Sequence, residues 1–305
     1  MHDQHDLALY CKSYRQDFFR LQRLSHSVTQ FNAQAIPFYV STPQTDYSEL
    51  LTIFGGTLPF IWIADETILE ANPRLDRARF QTYPGGLQQQ LVKAEFWRLG
   101  IAKTYVCLDS DCVFLREFAR SHFMNAQGEP YTVVYDLSEL FRVAQRLGYP
   151  KVEANLRAES ERVMQIFGRT GRQYACPCPP FIWSSSVWQS LDEKFLQPQH
   201  WSIDQLITRD HPESLCYLEA LLRFQAIAWI PIAPLFRVYF YDWFYLYLQK
   251  QGETQATLTN SFIGVIYQSN WDKSLDYGAS PKSPLSNLVR AIKAHWRALK
   301  VRILT

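Results

Sequence analysis

The fold is constrained most strongly by an alternation of strand-like and helix-like segments over residues 7–108. Short apolar runs typical of buried strands lie at residues 7–11, 36–40, 60–64 and 104–108. Apolar residues recur at helical spacing over residues 18–31, which Asp17 is expected to cap, and the segment 86–99 also reads as a helix. Strands and helices in turn predict an α/β fold, with a mostly parallel central sheet, right-handed crossovers and flanking helices.

After residue 118 the alternation becomes less regular. The remaining predicted elements are a strand over 131–135, helices over 136–148 and 151–167, a strand that enters a helix from Phe181, a helix over 212–224 and a last strand over 262–267. A chain of 305 residues is long enough for one large domain with an appendage. We therefore expect a single large domain over residues 1–280 and a separate C-terminal segment over residues 281–305.

Composition excludes several classes of protein. The chain has 47% hydrophobic and 20% charged residues, as ordinary globular proteins do, and its net charge of +2 gives no general case for binding nucleic acid. The N-terminus has acidic residues where a signal peptide has basic ones, and the most apolar stretch, residues 224–248, is interrupted by Pro231, Pro234, Arg237 and Asp242. Six cysteines are too few for a disulfide framework. We therefore expect a cytoplasmic protein.

Two aspartates follow the strand predicted at residues 104–108. Asp109 and Asp111 are separated by one residue, so their side chains point the same way if the strand geometry continues. The carboxyl edge of a sheet is where open α/β folds bind ligands, and Mg²⁺ and Mn²⁺ take oxygen ligands that they share with phosphates. The pair therefore predicts a divalent-cation site. Alternatively, the two aspartates cap a helix or face solvent.

The residues around this pair resemble a known family. The N-terminal alternation, the segment GGLQQQLVKAEFWRLG at 85–100 and the sequence LDSDCVFLREF at 108–118 resemble bacterial GT-A-type glycosyltransferases, most closely the DUF6492 group. The resemblance is strongest over residues 7–118. It implies a GT-A-like, Rossmann-type fold with a nucleotide-binding half (residues 1–118) and an acceptor half (residues 119–280). It also implies sugar transfer from a nucleoside-diphosphate sugar to a glycan or lipid-linked acceptor, with Mn²⁺ or Mg²⁺ as cofactor.

The resemblance also implies roles for individual residues. Asp111 would be the main metal ligand, and Asp109 would bind the metal through water or hold the ribose hydroxyls. The other residues implied to bind the nucleotide sugar follow the first and third strands or lie on the helix before the aspartates: Lys12, Ser13, Tyr14, Asp65, Gln89 and Lys93. Tyr14 could stack on the base and Lys93 could meet phosphate or ribose. Alternatively, Gln89 and Lys93 belong to a solvated helix face.

Many GT-A enzymes have a late histidine as a further metal ligand, and this chain has none close to the end of the strand at 262–267, where Gln268, Ser269 and Asn270 follow. Gln268 or Asn270 would supply a weak oxygen ligand in its place, or water would do so. His295 lies in the basic C-terminal helix and does not suit the role. The departure leaves the strength of metal binding, and activity itself, open.

An inverting glycosyltransferase needs a carboxylate base to activate the acceptor. Glu213, at the start of the helix predicted over 212–224, is the first candidate and Glu219 the second. The helix N-terminus is expected to lower the pKa of Glu213. Alternatively, Glu213 has no catalytic role and its negative charge only interacts favourably with the helix dipole. Trp183, Trp188 and Trp243 could present flat faces to a sugar, or belong to the core.

The C-terminal segment, residues 285–305, combines basic and apolar side chains. Val289, Ile292, Trp296, Leu299 and Ile303 fall on one helical face, and Lys293, Arg297 and Lys300 fall on a neighbouring one. Such a helix either contacts an anionic membrane surface, which would put the protein at the inner face of the membrane, or docks on its own domain.

Two other functions remain open. The sequence D-S-D-C-V also fits the nucleophile motif of haloacid-dehalogenase-type phosphatases, in which Asp109 would attack phosphate. That motif normally follows the first strand of its domain, whereas here about three βα units precede it. The other alternative is a catalytically inactive protein of transferase fold that binds a sugar nucleotide without turnover.

Overall fold

The strands of the computed structural model coincide with the apolar runs of the N-terminal half. The structure describes residues 4–267 and 284–304. Its strands are β1 (His5–Lys12), β2 (Phe38–Thr42), β3 (Ile61–Ala64), β4 (Ala102–Leu108), β5 (Cys112–Phe114), β6 (Thr132–Val133), β7 (Phe181–Ser184), β8 (Pro231–Ile232), β9 (Phe236–Tyr239) and β10 (Gly264–Tyr267). The main sheet has the order β3-β2-β1-β4-β7, in which only β7 is antiparallel to its neighbour. The expected α/β class with a mostly parallel sheet is confirmed.

Helices cover the sheet and form much of the second half. They are α1 (Phe18–Phe31), α2 (Tyr47–Ile53), α3 (Asp65–Glu70), α4 (Arg77–Gln81), α5 (Gly85–Glu95), α6 (Ser138–Arg146), α7 (Lys151–Ile166), α8 (Ser185–Leu191), α9 (Ile203–Leu206), α10 (Glu213–Phe224), α11 (Asp242–Lys250), α12 (Gln255–Ser261) and α13 (Pro284–Leu304). Two smaller sheets, β5-β10-β9 and β6-β8, accompany the main one.

Residues 7–11 of β1 and 104–108 of β4 are all buried because both faces of the sheet are covered. Alternate residues of β1 enter two different cores: Leu7 and Leu9 pack in the core that contains α1, and Ala8 and Tyr10 pack in the core that contains α5, α8 and α10. The residues of β4 divide in the same way. A strand with polar residues on one face could not occupy this position.

Several local expectations differ from the structure. The strand expected over 131–135 is reduced to Thr132–Val133. Asp17 occupies the N-cap position of α1, but its side chain contacts Arg20 and makes no capping hydrogen bond. The three tryptophans considered as sugar platforms lie in the core, with Trp183 and Trp188 each 1% exposed and Trp243 5% exposed. They pack on other aromatic rings, so a sugar cannot reach their faces.

The C-terminal helix α13 is docked on the second half of the domain. The Arg297 guanidinium contacts the buried carboxylate of Asp242 at the start of α11. The Lys300 ammonium lies 4.1 Å from the centre of the Tyr149 ring, and Val301 is buried. Self-docking is therefore observed, through the basic side of the helix. No helix in the described part of the chain is long and apolar enough to cross a bilayer.

Candidate active site

The carboxyl ends of β1 to β4 bring together most of the residues singled out in the sequence. These four strands are parallel, so the residues that follow them lie along one edge of the sheet. Lys12 and Ser13 lie at the end of β1, Asp65 follows β3, and Asp109 and Asp111 follow β4. The structure thus gathers at one edge residues that are about one hundred positions apart in the chain.

Lys12 and Asp65 form a buried ion pair at this edge. The Lys12 Nζ lies 2.8 Å from the Asp65 carboxylate, reaching across β2, and both side chains are 8% exposed. Burial raises the pKa of Asp65, and the positive charge of Lys12 acts in the opposite direction. The Ser110 hydroxyl donates to the Ser13 hydroxyl at 3.0 Å, which ties the end of β1 to the aspartate motif. Tyr14 is 36% exposed.

A cleft of about 780 Å³ opens beside the aspartate motif. Its volume falls within the range of ligand pockets, which is roughly 300–1,000 Å³. Gln89, Lys93, Asp109 and Glu213 line the cleft on the side of the main sheet. The other side is lined mainly by α6, α7 and the segment before β7, including the side chains of Phe141, Arg142, Arg157, Arg172 and Tyr174.

Lys93 is a buried cation shared by two carboxylates of the cleft. Its Nζ contacts Asp109 Oδ1 and lies 3.8 Å from Glu213 Oε1, and the residue is 3% exposed. Burial acts to lower the pKa of Lys93, but the charges of Asp109 and Glu213 outweigh it and raise the pKa. The lysine is therefore charged at neutral pH. Gln89 Nε2 donates to the same Asp109 oxygen at 3.3 Å, so Gln89 and Lys93 both contact the aspartate motif.

The pKa of Glu213 is shifted in the direction opposite to the one expected from its place in the helix. It is the first residue of α10, and the helix N-terminus was expected to lower its pKa. Burial dominates instead and raises the pKa of Glu213, while Lys93 lowers it and Asp109 raises it further. The Glu213 main-chain N–H donates to Gln90 Oε1 at 3.3 Å. A carboxylate with a raised pKa is a stronger base than an ordinary glutamate, and this one faces the cleft.

The remaining candidates lie apart from the cleft surface or outside the described residues. Asp111 is 4% exposed and does not line the cleft. Glu219 is 1% exposed, both of its carboxylate oxygens accept hydrogen bonds from Arg169, and it does not line the cleft. Gln268 and Asn270 fall outside the described residues. Within residues 4–267 and 284–304 no group of three or more His, Cys, Asp or Glu side chains is arranged to hold a metal ion.

Sequence reasoning missed the outer wall of the cleft. Arg142 and Arg157 lie on α6 and α7, where a basic residue on an amphipathic helix is an ordinary surface residue. Tyr174 lies in the irregular segment before β7. Gln90 lies next to the predicted Gln89 and gave no separate signal. Nothing local to these residues indicates that their elements fold over the aspartates.

Replacing Lys93 with methionine is expected to destabilise the protein by about 3 kcal/mol near neutral pH, because two buried carboxylates lose their shared cation. The pKa of Glu213 is already raised by burial and should rise further without Lys93. The folded variant then binds a proton more tightly than the unfolded chain does. The loss of stability relative to the native chain should therefore shrink as the pH falls from about 8 to about 5. Denaturant unfolding at several pH values measures both effects.

Lys103→Met is the matched control, since Lys103 is 65% exposed and pairs with the exposed Asp6. Little change in stability is expected there at any pH. A Lys93→Met chain as stable as the native one at neutral pH would show that Lys93 does not hold the two carboxylates together.

The chain is similar to known proteins in both sequence and fold. Residues 6–261 match the sequence profile of DUF6492, a family of unknown function. No protein with a curated description matches the chain significantly. Among solved structures, an active-site mutant of LgtC superposes with a TM-score of 0.50 at 10% identity, covering 95% of this chain and 99% of that one.

Two further structures are more distant. The galactosyltransferase LgtC in complex with donor and acceptor sugar analogues gives a TM-score of 0.47 at 10% identity, with 95% of each chain covered. Mouse xyloside xylosyltransferase 1 in its apo form gives 0.40 at 7% identity, covering 87% of this chain and 99% of that one. The similarity to the LgtC mutant confirms the expected GT-A-type fold. Since the family profile matches most of this chain, the chain belongs to the DUF6492 family.

Proposed function

We propose that this protein is a glycosyltransferase that moves a sugar from a nucleoside-diphosphate sugar to a glycan or lipid-linked acceptor. The observation that carries the proposal is the motif Asp109-Ser110-Asp111 at the carboxyl end of β4, beside a cleft of about 780 Å³ that Asp109 and Glu213 share. The fold shared with LgtC and the resemblance of residues 85–118 to GT-A enzymes support it.

A divalent cation, Mn²⁺ or Mg²⁺, is the cofactor that this motif suits. Carboxylate oxygens are hard ligands, and Mg²⁺ is commonly held by one or two carboxylates together with substrate phosphates and water. One oxygen of Asp109 is already bonded to Lys93 and Gln89, so Asp111 would be the main ligand and Asp109 would act through water or on the ribose. When bound, the cation would neutralise charge on the departing diphosphate.

The nucleotide would lie over the ends of β1 and β3. Tyr14 is partly exposed directly after β1 and can stack on a base. Lys12 and Asp65 are fixed by their ion pair, and Ser13 is fixed by Ser110. These residues would hold the nucleotide or shape the edge on which it rests, and their mutual bonds keep that edge rigid before ligand binds.

Glu213 would act on the acceptor. Its carboxylate lines the cleft and its raised pKa suits a general base. In an inverting transfer it would take the proton of the acceptor hydroxyl as that oxygen bonds to the sugar carbon, while the bond between that carbon and the diphosphate oxygen breaks. Lys93 contacts Asp109 and lies 3.8 Å from Glu213, so it would position the donor and acceptor sides relative to each other.

One observation favours a second candidate, a sugar-nucleotide-binding protein without turnover. Lys93 and Gln89 both engage an oxygen of Asp109 that a catalytic metal site could otherwise use. The phosphatase alternative is not carried forward, because Asp109 follows the fourth strand of the fold and not the first.

Thermal unfolding tests the binding site. Uridine or guanosine diphosphate is expected to raise the Tm in the presence of Mn²⁺, and Asp111→Asn should remove this shift because the main metal ligand becomes neutral. Asp6→Asn changes an exposed aspartate at the opposite end of β1 from Lys12, and should keep the full shift. A shift that persists unchanged in Asp111→Asn would contradict the assignment of the metal site.

Turnover tests the role of Glu213. A panel of nucleotide sugars is first screened for the one that the native chain consumes. With that donor, Glu213→Gln is expected to lower kcat about 100-fold, which is the scale of a lost general base. The increase in Tm caused by the nucleotide should stay the same. Glu49→Gln removes an exposed first-turn glutamate of α2 and should leave kcat unchanged. Nucleotide protection without any sugar release in the native chain would favour the binding protein instead, and full activity in Glu213→Gln would exclude this residue as the base.

A further inference from the structure

The helix α13 is docked by its basic side and not by its apolar side. Arg297 contacts Asp242, and Lys300 lies over the Tyr149 ring. Two hydrogen bonds from side chains to main-chain carbonyls hold the end of the helix: Arg146 Nε donates to the Leu304 carbonyl at 2.9 Å, and Lys250 Nζ donates to the Arg302 carbonyl at 3.3 Å. An amphipathic helix that only covers its own domain would bury its apolar side.

The apolar stripe of α13 faces outward as a result. It consists of Val289, Ile292, Trp296, Leu299 and Ile303, spaced three or four residues apart along one side of the helix. Trp296 is 66% exposed and Ile303 is 71% exposed, and the other three members are also exposed. Large apolar side chains that are exposed together mark a surface that binds another body.

We propose that the apolar stripe of α13 binds the surface of an anionic lipid bilayer. No acidic residue follows Asp276, and besides Arg297 and Lys300, which contact the domain, this segment carries the basic residues Lys282, Arg290, Lys293 and Arg302. A helix with tryptophan and aliphatic residues on one side and only positive charges elsewhere lies in the interface of anionic membranes, with its apolar side in the acyl boundary.

Charge also favours an anionic bilayer over a second copy of the chain as the partner of the apolar stripe. Two chains that met through the apolar stripe would bring two helices of the same positive sign alongside each other, and like charges at an interface are unfavourable. An anionic bilayer offers the opposite charge together with an apolar interior. The bilayer is therefore the partner that satisfies both properties of the helix.

The membrane contact would have a consequence for the acceptor. The helix α6 touches α13 through Arg146, and its residues Phe141, Arg142 and Gln145 line the cleft. One short helix thus joins the membrane-binding element to the wall of the candidate active site. This extension rests on the proposed function, and it narrows the acceptor to a lipid-linked glycan held in the same bilayer.

Co-sedimentation with vesicles tests the membrane contact. The full chain is expected to bind vesicles of mixed phosphatidylcholine and phosphatidylglycerol more tightly than vesicles of phosphatidylcholine alone. The double change Ile292→Glu and Trp296→Glu should weaken binding at least about tenfold, because two charges would enter the interface. Ile61→Glu is the matched control, since Ile61 is an exposed isoleucine (50%) on β3, and should bind like the native chain.

Tryptophan fluorescence gives a second measurement that needs no disruptive change. Lipids brominated on the acyl chain should quench the native chain more than Trp296→Phe, which keeps an apolar side chain at this position. Equal quenching, equal binding by the double variant, or equal binding to neutral and anionic vesicles would each overturn the proposal. Self-association abolished by the double variant, without vesicle binding, would assign the stripe to a second copy. None of these measurements uses a nucleotide, so they fail or succeed independently of the proposed reaction.

Discussion

The buried ammonium group of Lys93 is the interaction on which the rest of the site depends. Placing a cation inside a protein is unfavourable unless opposite charges accompany it, and here Asp109 and Glu213 do so. The three residues belong to α5, the end of β4 and α10, so one cation joins the nucleotide-binding half expected from the sequence to the acceptor half. Asp109 and Glu213 both line the cleft, so this cation also fixes two carboxylates of the candidate site.

Much of the fold over residues 1–118 could be predicted from the sequence because its signals are local. The run from Leu7 to Cys11 is apolar at every position, and only a strand covered on both faces requires that. Gln89 and Lys93 are one helical turn apart, so their joint approach to Asp109 follows from helix geometry. The aspartates follow directly from the strand that carries them.

Residues 119–304 could not be predicted to the same degree because their properties arise from distant contacts. The helix dipole at Glu213 is a local effect, whereas the burial that reverses its pKa shift comes from elements folded over it. The carboxylate of Glu219 is held by Arg169, fifty residues earlier in the chain. In the same way, the sequence of α13 defines a basic and an apolar side, but Asp242 on α11 decides which of them faces the domain.

The central claim is that Asp111 binds a divalent cation, which in turn coordinates the diphosphate of a nucleoside-diphosphate sugar. Anomalous diffraction from crystals soaked with Mn²⁺ and a nucleoside diphosphate tests it most directly. The account predicts one strong manganese peak within bonding distance of the Asp111 carboxylate and of diphosphate oxygens, at the carboxyl ends of β1 and β4. A diphosphate bound there without manganese, or manganese bound away from Asp111, would contradict it.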